Sequence, residues 1–136
     1  MSNDRPDLFE PTVRIDATAR FRRARPALRW VGLLTPIAGL STRKIRIDRD
    51  ELVLGRDKSL PVPLQDESVS RHHARITRNG DQFVLEDLQS FNCTHVDGVP
   101  VIRCLLRDGD AVQVGQTLYI FERLLEQAGA TQGEKP

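Results

Sequence analysis

"HARITRNGDQFVLEDL", residues 73–88, decides the fold. The stretch predicts a β-hairpin, with one strand from Ala74 to Arg78, a turn at Asn79-Gly80 and a second strand from Gln82 to Leu88. Asn-Gly is the strongest short hairpin signal because both residues tolerate positive φ. The device recurs in "THVDGVPV" (94–101), where Asp97-Gly98 takes the turn. Upstream, "LRWVGLLT" (28–35) predicts an apolar strand ended by Pro36. "RKIRIDRDELVLGR" (43–56) alternates, with Ile45, Ile47, Leu52 and Leu54 facing inward from two strands around Asp48–Asp50. Downstream, "LLRDGDAVQVGQTLYIFERL" (105–124) gives two more strands turned at Gly115-Gln116. A helical tendency is confined to Glu122–Gln127. Many short strands separated by turns predict an all-β sandwich or small barrel.

The chain has 136 residues with 39% hydrophobic and 29% charged, enough for one domain with a core and tails. Its composition changes near Pro26-Ala27. Residues 1–26 read as a disordered, Arg-rich tail, residues 27–124 as the domain, and residues 125–136 as a flexible C-terminal tail. Residues 28–124 carry 13 Lys/Arg and 13 Asp/Glu, a net of zero. Such a body lacks the many cationic phosphate contacts of broad nucleic-acid binding, so nucleic acid is not an expected partner. The arginine run in "RFRRARPALR" (20–29) reads as a solvated linker, with a nucleic-acid accessory role as a lesser alternative. The opening "MSNDRPDLFE" does not read as a signal peptide, and "WVGLLTPIAGL" (30–40) is about half a membrane span. A soluble, cytoplasmic protein without membrane contact is expected.

"DESVSRHHARI" (66–76) holds serines, an arginine and two histidines, the stock of a catalytic or metal site. Nucleophilic catalysis is not supported. There is no G-x-S-x-G elbow, and adjacent histidines entering a strand point to opposite faces. The same divergence argues against a metal at His72 and His73, while Cys93 and His95 supply only two ligands. Cys93 and Cys104 make no disulfide framework and read as reduced thiols. No catalytic residue, metal or cofactor is therefore expected. Arg56 ends the strand "LVLGR", Ser70 and Arg71 precede a strand, and Ser90 and Asn92 occupy a third inter-strand stretch. Two arginines and a hydroxyl suit a phosphate dianion, and an asparagine can pair with a peptide backbone. That reading requires the loops to meet at one end of the sandwich.

The order "LVLGR", "SVSRHHARI", "LEDLQSFNCTHVDG" and "LLRDGDAVQVG" resembles the forkhead-associated (FHA) domain. The matched positions are Gly55-Arg56, Ser70 with His73, Asp87-Leu88, Ser90, Asn92, Thr94, Val96, Gly98 and Asp108-Gly109-Asp110. The resemblance covers residues 27–124. It implies an FHA-like β-sandwich of about eleven short strands that is not an enzyme and binds phosphothreonine peptides with loops at one end. It further implies phosphate contacts from Arg56, Ser70 and Arg71, a peptide-backbone contact from Asn92, and structural support from Gly55, His73 and Thr94. The implied partner is a phosphothreonine-containing protein, a Ser/Thr kinase or a kinase substrate. A sandwich that binds proteins without regard to phosphate is the alternative.

This sequence departs from the family pattern at three places. Cys93 stands where the family has a glycine suited to positive φ, so the turn is expected either to carry strain or to be reshaped. Asp97 replaces an asparagine before Gly98, a mild change because Asp-Gly makes the same turn. Phe91 stands where several relatives carry a small or hydroxyl residue that reaches the phosphate, and it offers an apolar wall instead. In the tail, Thr12 of "FEPTVRID" (9–16) is a candidate phosphorylation site whose modified form could fold back into the loops.

Overall fold

The computed structural model describes residues 27–128. Ten strands succeed one another in this span: β1 (Leu28–Gly39), β2 (Ile45–Ile47), β3 (Glu51–Leu54), β4 (Ala74–Asn79), β5 (Gln82–Asp87), β6 (Thr94–Val96), β7 (Val99–Val101), β8 (Arg103–Leu106), β9 (Ala111–Val114) and β10 (Thr117–Gln127). They form a six-stranded sheet in the order β2-β1-β10-β9-β6-β7 and a four-stranded sheet in the order β3-β4-β5-β8. The sandwich expected from the turn spacing is present, with ten strands among the described residues.

Alternation along the strands builds the core. Ile45 and Ile47 of β2, Leu52 and Leu54 of β3, and Ile76, Phe83 and Leu85 of the central hairpin are all buried, as are Val112, Val114, Tyr119 and Phe121. Phe83 of one sheet meets Phe121 of the other edge-on, with ring centroids 5.4 Å apart. This is the geometry that opposed ring quadrupoles favour. Apolar area of this kind contributes roughly 25 cal/mol per Å² removed from water and drives the two sheets together.

The structure corrects three local expectations. Pro36 does not end the first strand, which continues to Gly39. β2 pairs with β1 only at Gly32, Leu33 and Leu34, so Pro36 lies beyond that ladder, where a missing N–H is tolerated. Glu122–Gln127 is strand rather than helix: it runs on past the end of the β9 pairing at Ile120 as part of a strand whose other neighbour in the sheet is β1, and sheet context overrides helix propensity. The central hairpin keeps Asn79 in register opposite Gln82 and turns through Gly80-Asp81, with positive φ at Gly80 alone. By contrast, Asp97 and Gly98 both take positive φ, at 53° and 82°, as a two-residue turn with a left-handed pair requires.

The strand registers set where the loops meet. Leu54 pairs with Ala74 and Ala74 with Asp87, which puts segments 55–73 and 88–93 at one end of the four-stranded sheet. Thr94 pairs with Val114 and Val114 with Thr117, which puts segment 88–93 and the Gly115-Gln116 turn at one end of the six-stranded sheet. Segment 88–93 joins the two ends, so the three loops share one end of the sandwich.

Candidate phosphopeptide site

Segment 55–73 is folded back on the end of β3. The amide of Arg56 donates to the Ser70 carbonyl at 3.0 Å, that of Asp57 to Arg71 at 3.2 Å, and that of His73 to Leu54 at 2.8 Å. These bonds bring the Gly55 Cα against the Arg71 backbone. A Cβ at residue 55 would lie 1.9 Å from the Arg71 carbonyl oxygen, so only glycine permits the approach.

His73 is fully buried and joins two loops. Its Nδ1 accepts the Ser70 N–H at 3.0 Å, and its Nε2 lies 2.9 Å from the Cys93 carbonyl oxygen. An amide can only donate and a carbonyl can only accept, so the ring proton resides on Nε2. His72 points the other way and is exposed, with its Nε2 3.8 Å from Asp57 Oδ2.

Two carboxylates hold the remaining turns, and their roles were not anticipated from sequence. Asp66 accepts the Ser68 hydroxyl at 2.6 Å and the Ser68 amide at 2.9 Å on one oxygen, and the Gln116 amide at 2.8 Å on the other. Asp87 accepts the hydroxyls of Ser90 at 2.6 Å and Thr94 at 2.7 Å, and the Ser90 amide at 3.0 Å. Burial opposes ionisation of both, but the donated hydrogen bonds outweigh it and hold each carboxyl below its ordinary value. The Asp-x-Ser spacing of 66–68 was the available sequence signal, since such residues bond the backbone two positions on. Thr94 is buried, with its hydroxyl on Asp87. Ser90 is likewise committed to Asp87.

Cys93 keeps the left-handed conformation, with φ of 68°. The loop is therefore not reshaped, and the Cβ costs about 1–2 kcal/mol. Holding that φ leaves the Cys93 carbonyl aimed at His73.

On this frame stand the expected contact residues. Ser70 Oγ accepts the Phe91 amide at 3.0 Å, which leaves its own proton free to be donated outward. Arg56 Nε donates to the Val69 carbonyl at 2.8 Å, fixing the exposed guanidinium beside Ser70 while its terminal nitrogens have no hydrogen-bond partner among the described residues. Arg71 is exposed in the same turn. Arg56, Lys58 and Arg71 border an open hollow shared with Asp57, Asp66 and Glu67. Asp57 is occupied by the Ser59 amide and hydroxyl, whose hydrogen bonds are the main reason its carboxyl sits below the ordinary value. Asn92 donates one amide hydrogen to the Ser68 carbonyl at 2.8 Å across the loops, leaving its oxygen and second hydrogen to face outward. Thr12 and Arg20–Arg25 lie outside the described residues. Arg29 faces Glu126 at 3.7 Å. Among the described residues no group of three or more His, Cys, Asp or Glu could hold a metal ion, and no helix is long and apolar enough to cross a membrane.

Two outcomes are expected from this frame. His73→Ala should lower the melting temperature and His72→Ala should leave it unchanged, in thermal unfolding followed by circular dichroism. Losing the His73 bonds strands two backbone groups, at about 1–3 kcal/mol each when buried. The depressed Asp66 and Asp87 carboxyls contribute stability that is complete above the ordinary carboxylate value of 3.8 and lost as pH falls below it. Asp87→Asn should therefore destabilise the protein at neutral pH and weaken the fall in stability toward pH 3, measured by urea unfolding. An unchanged acid dependence would contradict the assignment.

Comparison with known proteins agrees with this geometry. The FHA domain family model matches residues 52–115. The oxoglutarate dehydrogenase inhibitor of Corynebacterium jeikeium is 36% identical over 75 residues, which make up 55% of this chain and 52% of that protein. The glycogen accumulation regulator GarA of Mycolicibacterium smegmatis is 35% identical over 75 residues, 55% of this chain and 48% of its own. The chain thus spans about half the length of these curated relatives. Among solved structures, a domain from a study of phosphothreonine-dependent FHA domain interactions matches with TM-score 0.62 and 32% identity, covering 68% of this chain and 95% of that one. The FhaA FHA domain, complexed with the intracellular domain of Rv3910, matches with TM-score 0.61 and 33% identity, covering 68% of this chain and 99% of that one. With its sandwich, its loop order and these matches in agreement, the chain belongs to the FHA domain family.

Proposed function

We propose that this chain is a phosphothreonine-peptide-binding module, in which Arg56, Ser70 and Arg71 receive the phosphate and Asn92 holds the peptide backbone. One observation carries the reading: the Ser70 hydroxyl is oriented by the Phe91 amide, with its proton free, beside an arginine already fixed through Nε. A phosphate dianion needs such convergent donors, and their prior fixing reduces the ordering cost of binding. The relatives are named an inhibitor and a regulator. By that analogy the chain acts on a partner protein rather than as an enzyme. The partner is a phosphothreonine-bearing protein, either a Ser/Thr kinase or a kinase substrate. The proposed domain is residues 27–124. Its boundaries rest on composition, with β10 running three residues further to Gln127, and Thr12 phosphorylation in the preceding tail belongs to the same proposal.

Isothermal titration of a peptide pool in threonine and phosphothreonine forms tests the reading. Binding should require the phosphate. Arg56→Ala should cost about 2–5 kcal/mol, at least roughly thirtyfold in affinity, because a charge-assisted contact is lost. Ser70→Ala should cost ~1.5–3 kcal/mol, the range for a hydrogen bond to a charged group. Equal binding of both peptide forms would favour a phosphate-independent adaptor. An unimpaired Arg56→Ala variant would remove the assigned site.

A further inference from the structure

Of the large apolar side chains, Phe91 is 90% exposed and stands inside the loop that carries the proposed peptide contacts. The other strongly exposed one, Ile102 at 83%, lies between the β7 and β8 strands. A phenyl ring left in water on a mobile loop would have little meaning, but this loop is fastened on both sides of the ring. The Phe91 amide is bonded to Ser70 Oγ, Ser90 is held by Asp87, Asn92 by the Ser68 carbonyl, and the Cys93 carbonyl by His73. The backbone under the ring is therefore set in place before any ligand arrives. Its neighbours along the chain and across the loop, Asn92 and Ser70, are polar, so the ring is an isolated apolar surface within a polar site.

We propose that Phe91 determines peptide specificity, by packing against an aliphatic or aromatic side chain that flanks the phosphothreonine in the partner. This deepens the phosphopeptide reading and rests on it. Phenylalanine has no hydrogen-bond donor on its side chain, so it adds nothing to phosphate recognition except through its backbone amide. Its contribution is area removed from water, and that gain is realised only if the peptide side chain above it is apolar. The phosphate clamp supplies affinity common to all phosphothreonine peptides, and Phe91 supplies the discrimination among them. A rigid aromatic ring is suited to this, because few rotatable bonds are frozen when it is covered.

The test is a phosphothreonine-centred peptide library in which each flanking position is varied in turn, probed with the purified chain and with its Phe91→Ala and Phe91→Thr variants. The side chain is exposed, so both variants should melt with the parent. At one flanking position the parent should prefer Leu, Ile or Phe over Asp or Lys by about tenfold, the ratio that partial burial of a ring and an aliphatic chain supports. Both variants should reduce that preference to roughly twofold or less while still requiring the phosphate. Phosphate-dependent binding with no apolar preference in the parent, or a preference unchanged in Phe91→Ala, would overturn the assignment of Phe91 and leave the phosphate site standing. Failure of every phosphorylated pool to bind the parent would overturn both.

Discussion

The binding end of this sandwich depends on one buried imidazole. His73 stands where the four-stranded sheet begins its second strand, and Cys93 where segment 88–93 enters the six-stranded sheet. Through its two nitrogens the ring accepts a hydrogen bond from the Ser70 amide and donates one to the Cys93 carbonyl. Both partners are backbone groups of loops that would otherwise have to find water. Neither a carboxylate nor an amine could replace it, since one bond requires an acceptor and the other a donor, from rigid positions on opposite sides of a planar group. The carboxylates of Asp66 and Asp87 extend the same design outward, each gathering hydroxyls and amides into a turn.

A frame of this kind matters because phosphate recognition by flexible side chains is weak in water. Exposed ion pairs contribute little when both partners must be ordered at the moment of contact. Here Arg56 is bonded through Nε before a ligand arrives, and Ser70 has its lone pair engaged and its proton free. Asn92 likewise has one donor committed to Ser68 while its remaining groups face outward. The strain at Cys93 belongs to the same account, because the left-handed turn that a Cβ opposes is what directs its carbonyl to His73.

Much of this was legible in the sequence because β-structure writes itself with a period of two. Ile45, Ile47, Leu52 and Leu54 were marked as inward by alternation alone and are buried. The paired glycine turns marked the hairpins, although the central turn moved by one residue to Gly80-Asp81. Glu122–Gln127 was illegible because helix-forming residues carry no record of the strands beside them. The four residues proposed to contact the peptide, Arg56, Ser70, Arg71 and Asn92, were chosen through their order and spacing. The bracing acids were not, because the Asp66 to Gln116 bond spans 50 positions and no local pattern encodes it. The local halves of those networks, Asp66 with Ser68 and Asp87 with Ser90, did carry a turn signature.

The loops gathered by His73 are the surface proposed to meet a phosphothreonine. The most direct measurement is an NMR titration of the amide-labelled chain with a phosphothreonine peptide and with its unphosphorylated counterpart. The phosphorylated peptide alone should shift the amides of residues 55–57, 68–71 and 91–93. Equal shifts from both peptides, or shifts confined to the β7 and β8 strands between Val99 and Leu106, would contradict it.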